Sequence, residues 1–324
     1  MKHVPAFMTR SDRAFRLLNH IYSNLSSFFP YNSFQKPIFI ISPPRAGSTL
    51  LFESLTTFPG LYHLPNEGDN IWWRFFPYGR AGSEPSDYVP WTSDTSSSAR
   101  PLRREIYERA VKHTLIKNKR GRRKFQYIFG LKKIRYLDKT IANCFHLDFL
   151  KNAFPDTQYI FLIRDPRSSI ASMIEGWPHK RMFGKPQLTA FFPRSGTLTI
   201  THWSYPAPPG WQSVLHKPLP EICAWSWREH VLAALNFFDR TGAPVIRVYY
   251  EDLIKDTIAV MKRLSDALNL PFSDKTRAYL KNPPLSRTTV SPPNPRKWEI
   301  QNKEEITSII PSIADLANVL GYDV

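Results

Sequence analysis

The chain has 324 residues, 42% hydrophobic and 22% charged, a globular composition that argues against wholesale disorder. Its formal net charge of +17 favours an anionic partner: a nucleotide, an acidic glycan, a nucleic acid or a membrane surface. Two cysteines, Cys144 and Cys223, are too few for a cysteine metal site, and their separation argues against a disulfide framework. The best apolar run, residues 38–41, has only the length of a strand. Neither a membrane span nor a signal peptide is predicted, and we expect a cytoplasmic location.

Helical spacing of apolar residues first predicts a helix over residues 11–29, and strands and helices then alternate along the chain. The predicted strands cover residues 36–42, 158–163 and 245–249. The later predicted helices cover residues 48–57, 101–118, 145–154, 165–175, 221–240, 257–268 and 302–320. Residues 77–100 are predicted to form an exposed connection and residues 177–220 an irregular insert, since Pro and Gly interrupt both. This alternation predicts one α/β domain over residues 1–324, with a central, mostly parallel sheet between two helical layers.

The turn after the first predicted strand has the features of an anion site. It reads Pro-Pro-Arg-Ala-Gly-Ser-Thr, and Gly47 would let the backbone come close to a ligand. Ser48 and Thr49 can cap the helix, the amides from Ala46 onward are available to an anion, and Arg45 adds a permanent charge. An ordinary turn with a capping serine would have the same sequence. A nucleoside-triphosphate loop would instead need a lysine before Ser48, which is missing.

A second strand runs into a helix at residues 159–172. Asp165 suits the helix cap and Pro166 the first turn. Arg164 ends the strand, and Ser172 lies eight residues later, about two turns along the helix. An arginine paired with a nearby carboxylate is the alternative interpretation.

Together the two turns resemble the sulfotransferases that use 3′-phosphoadenosine 5′-phosphosulfate (PAPS). The first resembles their 5′-phosphosulfate loop, P-[RK]-[ST]-G-[ST]-T, from which Ala46 departs because a hydroxyl residue is usual there. The pair Arg164 and Ser172 resembles their 3′-phosphate site. The resemblance implies a P-loop-like fold, PAPS as the donor and no metal, and the pattern is most similar to the tyrosylprotein and bacterial-type members.

Three further segments extend the resemblance towards the end of the chain. Asp-Lys-Thr-Ile resembles a K-[TD]-P segment with Ile141 in place of Pro, and implies that Lys139 contacts the transferring sulfonate. Tyr-Tyr-Glu-Asp-Leu resembles a Y-E-D-L strand end, and implies a tyrosine near the nucleotide, which we assign to Tyr249. Arg-Lys-Trp resembles a closing S-K-W segment, in which Arg296 or Lys297 is predicted to reach a phosphate.

The implied reaction is a direct in-line sulfuryl transfer to a hydroxyl or amine. Its catalysis depends on positioning and cationic stabilisation, here by Arg45, Lys139 and the loop amides. Glu67 is the predicted base. It lies after the helix predicted over residues 48–57, where relatives with a carboxylate base carry theirs, and Asp69 and His63 are the alternatives. The sequence does not identify the acceptor: a sugar, a peptide tyrosine, a lipid and a small metabolite all remain possible.

Two other functions remain possible at this stage. A nucleotide kinase or nucleoside triphosphatase would use the same strand, loop and helix. A nucleic-acid-binding protein would explain the charge and the basic run at 117–124 but leaves the paired anion sites unexplained. The basic run could also contact an acidic glycan or a membrane surface, although such runs are commonly only solvated.

Overall fold

A parallel sheet runs between two helical layers in the computed structural model, which describes residues 34–78, 85–117, 133–183, 202–292, 294 and 296–324. The predicted helix over residues 11–29 lies outside the described residues. So do all but the first residue of the basic run and residues 184–201 of the insert.

The described strands are β1 (Ile38–Ile41), β2 (Leu61–His63), β3 (Arg135–Asp138), β4 (Gln158–Ile163) and β5 (Val245–Tyr249). They form a five-stranded sheet in the order β2-β3-β1-β4-β5, and each neighbouring pair is parallel. The three predicted strands are confirmed, with β4 and β5 at the predicted bounds. The sequence does not predict β2 and β3, because they have only three and four residues and show no clear strand pattern.

The described α-helices are α1 (Ser48–Leu55), α2 (Asp69–Phe75), α3 (Ser93–Ser96), α4 (Ala99–Lys117), α5 (Leu147–Ala153), α6 (Pro166–Gly176), α7 (Lys180–Phe183), α8 (Leu219–Thr241), α9 (Tyr250–Lys255), α10 (Thr257–Leu268), α11 (Asp274–Lys281), α12 (Lys297–Gln301) and α13 (Lys303–Val319). Short 3-10 helices cover Ile141–Phe145 and Trp211–Val214. The predicted helices within the described residues are therefore confirmed to within a few residues at each end. The sequence pattern does not predict α2, α3, α7, α9, α11 and α12.

Alternating side chains of the sheet fill two cores. In β1, Phe39 and Ile41 belong to the larger core, with side chains of α4, α6, α8 and α13, while Ile38 and Ile40 belong to the smaller one. The smaller core is completed by α1, α10 and α11. Helices thus cover both faces of the sheet, and the predicted three-layer α/β fold is confirmed.

Two segments that the sequence assigns to irregular or exposed structure contribute to the larger core. Trp203 and Trp211, in the predicted insert, are fully buried, and Val89 is 6% exposed. Asp87 holds the two segments together, because its carboxylate accepts a hydrogen bond from Ala207 N at 2.6 Å and its own amide donates to Ala207 O at 2.9 Å. The prediction of an exposed connection is therefore wrong at residues 87 and 89. The large apolar area of the tryptophans accounts for the burial of the insert.

None of the described helices combines the length and the apolar character that crossing a membrane requires.

Candidate active site

The turn between β1 and α1 brings backbone amides to the carboxyl end of the sheet. Arg45 and Gly47 both have left-handed backbone conformations, with φ of 63° and 94°. A Cβ at Gly47 would lie 2.4 Å from the Tyr250 ring, so no larger residue fits there without a shift. Within the described residues no side chain caps the start of α1, which leaves its first amides available to an anion.

The second turn, between β4 and α6, lies beside the first because β1 and β4 are neighbours in the sheet. Asp165 caps α6 by accepting a hydrogen bond from Arg167 N at 2.8 Å, and Pro166 stands in the first turn, as predicted. Arg45 Nε donates to Ser172 Oγ at 3.0 Å, and Arg164 donates from Nη1 to the carbonyl oxygen of Arg45 at 2.9 Å. The structure therefore joins the two predicted anion sites.

Two guanidinium groups converge at this junction. The Arg164 guanidinium stacks 4.5 Å above the centre of the Tyr250 ring, and that of Arg45 lies 4.7 Å from the Phe183 ring centre. Burial lowers the pKa of Arg45 from its ordinary value; Tyr205 opposes that shift, whereas the charge of Arg164 adds to it. Arg164 Nε is buried and has no hydrogen-bond partner within the described residues. A bound anion would supply that partner and offset the repulsion between the two arginines.

Lys139 and Glu67 form an ion pair at the neighbouring edge of the site. Lys139 follows the end of β3 and its side chain is only 4% exposed, whereas Glu67 is 29% exposed. Lys139 Nζ also donates to Thr49 Oγ1 at 3.0 Å, which connects the pair to the start of α1. The structure thus brings the predicted sulfonate-binding lysine and the predicted base together.

A segment between α11 and α12 closes over the first turn. Thr288 accepts a hydrogen bond at its carbonyl oxygen from Arg45 Nη1 at 2.9 Å, and its hydroxyl donates to Thr49 Oγ1 at 3.1 Å. Arg287 of the same segment donates to the carbonyl oxygen of Pro65 at 2.8 Å. Thr288 is not predicted from the sequence, because no motif surrounding it marks it as part of the site.

These groups line one cleft of about 1120 Å³ at the carboxyl ends of the strands. The predicted site residues in its lining are Arg45, Gly47, Ser48, Thr49, Glu67, Asp69, Lys139, Arg164, Ser172 and Lys297. Within the lining, Lys297 Nζ donates a hydrogen bond to Glu175 Oε1 at 2.7 Å. No cluster of His, Cys, Asp and Glu suited to a metal ion occurs in the part of the chain that the structure describes.

Four predicted residues lie elsewhere. The Ala46 side chain is buried in the smaller core, so only its backbone could meet a ligand. His63 is buried, with its ring against Phe52 and His113. Arg296 is 81% exposed, and its Nε lies 3.8 Å from Glu299 Oε1.

The fourth, Tyr249, packs with the larger core and Tyr322, while its neighbour Tyr250 meets the cleft. A sequence signal could have selected Tyr250. Alternation along β5 directs Tyr249 to the larger core, whereas the predicted anion-binding turn leads into α1, which packs on the side of the smaller core.

The sequence profile of the Sulfotransferase family matches residues 37–204, more than half of the 324 residues. This range contains both predicted anion sites, Lys139 and Glu67. The chain belongs to the sulfotransferase family.

Among characterised relatives, protein-tyrosine sulfotransferase A of Caenorhabditis elegans is 24% identical over 191 residues. The match covers 54% of this chain and 41% of that protein, so the chain spans less than half of the relative's length. The crystal structure of sulfotransferase STF9 from Mycobacterium avium superposes with a TM-score of 0.50 at 15% identity, over 99% of this chain and 88% of that one. This second likeness concerns the fold.

Proposed function

We propose that the protein transfers a sulfuryl group from PAPS to a hydroxyl or amine of an acceptor by direct in-line displacement. The observation that carries the proposal is the junction of the two anion-binding turns, where Arg45 Nε bonds Ser172 Oγ at 3.0 Å and Arg164 Nη1 bonds the Arg45 carbonyl oxygen at 2.9 Å. A nucleotide with phosphates on both its 3′ and 5′ positions needs two adjacent anion sites. The buried Arg164 Nε, which has no hydrogen-bond partner within the described residues, suits a phosphate there.

The residues of the cleft divide into binding and catalytic groups in this scheme. Arg164 and Ser172 bind the 3′-phosphate, while Arg45 and the amides of residues 46–49 bind the 5′-phosphosulfate. PAPS supplies a sulfuryl group on a phosphate leaving group when it is bound. Lys139, next to Thr49, donates hydrogen bonds to the oxygens on which negative charge grows during transfer.

Glu67 is the proposed base. It takes the proton of the acceptor as the acceptor oxygen or nitrogen bonds to sulfur and the bond from sulfur to the leaving phosphate breaks. Its ion pair with Lys139 holds the carboxylate beside the predicted sulfonate-binding lysine. Asp69 also lines the cleft and is the second candidate.

The acceptor class is not fixed by these contacts. The name of the Caenorhabditis elegans relative makes a peptide tyrosine the first acceptor to screen, followed by sugars, lipids and small metabolites. A nucleotide kinase is disfavoured because the lysine of a nucleoside-triphosphate loop is missing before Ser48, and because the chain belongs to the sulfotransferase family.

The test is a calorimetric titration with adenosine 3′,5′-bisphosphate and, separately, with ATP and magnesium. We expect the bisphosphate to bind and ATP to bind far more weakly. Arg164→Ala should weaken the bisphosphate by about ten- to a hundredfold, since charge-assisted hydrogen bonds are worth roughly 1.5–3 kcal/mol.

Arg167→Ala is the matched control. It removes the same charge three residues further on, where Arg167 pairs with Asp165 and lies outside the cleft lining. Its bisphosphate affinity should stay close to that of the unmodified protein. A preference for ATP, or a folded protein that binds neither nucleotide, would refute the proposed function.

A further inference from the structure

We propose that Asp138 is a positioning residue that keeps Lys139 and Glu67 together, acting through Thr140 and Gly68. This inference deepens the proposed function and rests on it for the roles of Lys139 and Glu67. Asp138 is the last residue of β3, is 5% exposed and does not line the cleft. The resemblance to the K-[TD]-P segment implies a role for its neighbour Lys139 but none for Asp138.

The carboxylate of Asp138 accepts four hydrogen bonds. Oδ1 accepts from Tyr136 Oη at 2.9 Å and from Thr140 Oγ1 at 3.2 Å. Oδ2 accepts from Thr140 N at 3.1 Å and from Asn143 Nδ2 at 2.6 Å. Three of the four bonds therefore hold the segment that follows Asp138, and Lys139 is enclosed within that segment.

Thr140 carries the connection to the other half of the pair. Its hydroxyl donates to Asp138 and accepts a hydrogen bond from Gly68 N at 2.7 Å. Gly68 is adjacent to Glu67 in the chain. A Cβ at position 68 would lie 3.2 Å from Thr140 Oγ1, so a larger residue would crowd this contact.

Ile141 adds a second connection. Its amide donates to Glu67 Oε2 at 3.4 Å. The resembling segment in the family has Pro at this position, and Pro has no amide hydrogen to donate. The departure from the family pattern thus supplies this chain with a contact to its proposed base.

Burial raises the pKa of Asp138, while hydrogen bonds from Thr140, Asn143 and Tyr136 oppose that shift. Such a network is costly if any member is lost, because the remaining buried groups lose their partners. All four donors lie within the eight residues 136–143, so the network fixes the path of the chain on both sides of Lys139.

The test measures how well Lys139 is protected from acetylation in the full chain, by pulse labelling with acetic anhydride and mass spectrometry. Thr140→Val removes the hydroxyl at nearly constant volume. It should raise the Lys139 acetylation rate by about tenfold, because losing hydrogen bonds to a charged group makes local opening of the segment easier by about that factor. Thr140→Ser keeps the hydroxyl and should restore protection. Tyr136→Phe is the matched control, because it removes a donor to Asp138 on the side away from Gly68.

The proposal is supported if Thr140→Val exposes Lys139 while Thr140→Ser and Tyr136→Phe do not. It is overturned if Thr140→Val and Tyr136→Phe expose Lys139 equally, or if neither does. Should Thr140→Val fail to fold, Asp138→Asn is judged by the same comparison with Tyr136→Phe. The acetylation experiment needs no nucleotide, whereas the proposed function is tested by the bisphosphate titration. A failure of the positioning role of Asp138 is therefore distinguishable from a failure of the proposed function.

Discussion

Gly47 carries two constraints at the first anion-binding turn. Its φ of 94° favours glycine, and the Tyr250 ring occupies the space in which any side chain would begin. The same tyrosine ring stacks on Arg164, so the glycine, the ring and the arginine depend on one another.

Gly47→Ala should therefore lower the free energy of unfolding by more than backbone strain alone would. We expect a loss of about 2–4 kcal/mol in the free energy of unfolding, from the left-handed conformation together with the clash. Gly210→Ala separates the two causes, because Gly210 has a φ of 79° but no atom within 4 Å of its missing Cβ. It should cost only about 1 kcal/mol. Chemical denaturation of both variants measures this, and equal losses would show that the contact with Tyr250 contributes nothing.

Individual residues of the site differ in how far the sequence reveals them. Arg45, Gly47 and Arg164 stand at strand-to-helix turns, where charge and backbone freedom have an evident use. Thr288 contacts Arg45 and Thr49, which are distant in sequence, and no local pattern shows such contacts. Asp138 bonds only near neighbours, and its connection to the distant Gly68 runs through Thr140. The Y-E-D-L motif contains both tyrosines, and only the alternation along β5 distinguishes Tyr249, which packs with the larger core, from Tyr250, which lines the cleft.

At the scale of elements, the site depends on strand order. The two turns are more than a hundred residues apart, and they meet because β1 pairs with β4. The sequence predicts both strands from their apolar runs but contains no signal for their order. Lys139 reaches the site because β3 pairs with β1 on the other side, and β3 itself was not predicted.

The contact between α6 and α12 gives a pH-dependent prediction. Burial raises the pKa of Glu175, but hydrogen bonds from Lys297 and Ser291 and the charge of Lys297 outweigh it, so the net shift is downwards. A lowered carboxyl pKa contributes stability above its unfolded value of about 4.3, and this stability is lost as the pH falls through the folded value.

Lys297→Met should consequently be less stable than the unmodified protein at neutral pH, by under about 1 kcal/mol because the pair is partly exposed. The difference should shrink as the pH falls below about 4. Thermal unfolding across this range measures it. Lys217→Met, which breaks an exposed pair with Glu221 at 3.0 Å, should show little difference at any pH. A pH-independent loss in Lys297→Met would mean that packing, rather than the ion pair, stabilises this contact.

At the scale of the whole molecule, the net charge of +17 attracts anions of every kind, while the proposed function requires the cleft to select among them. The sequence correctly predicts the three-layer fold, because apolar strands alternating with amphipathic helices leave few other arrangements. The single-domain organisation and the cytoplasmic location stay predictions.

The salt dependence of binding should distinguish the cleft from the charged surface. Between about 50 and 300 mM salt we expect bisphosphate affinity to fall by less than about tenfold, because Arg45 and Arg164 are partly shielded from mobile ions. Any binding to duplex DNA should fall far more steeply over the same range. Calorimetry for the nucleotide and fluorescence anisotropy for a labelled duplex provide the comparison. Equally steep losses would indicate that the nucleotide binds the surface and not the cleft.

The convergence of Arg45 and Arg164 has a practical consequence for handling the protein. Two neighbouring cations beside free helix amides will capture whatever tetrahedral oxyanion the buffer contains. Purification in phosphate or ammonium sulfate should therefore yield a preparation already occupied by the buffer ion, with raised thermal stability and falsely weak nucleotide affinity. Chloride and a zwitterionic buffer give the meaningful baseline.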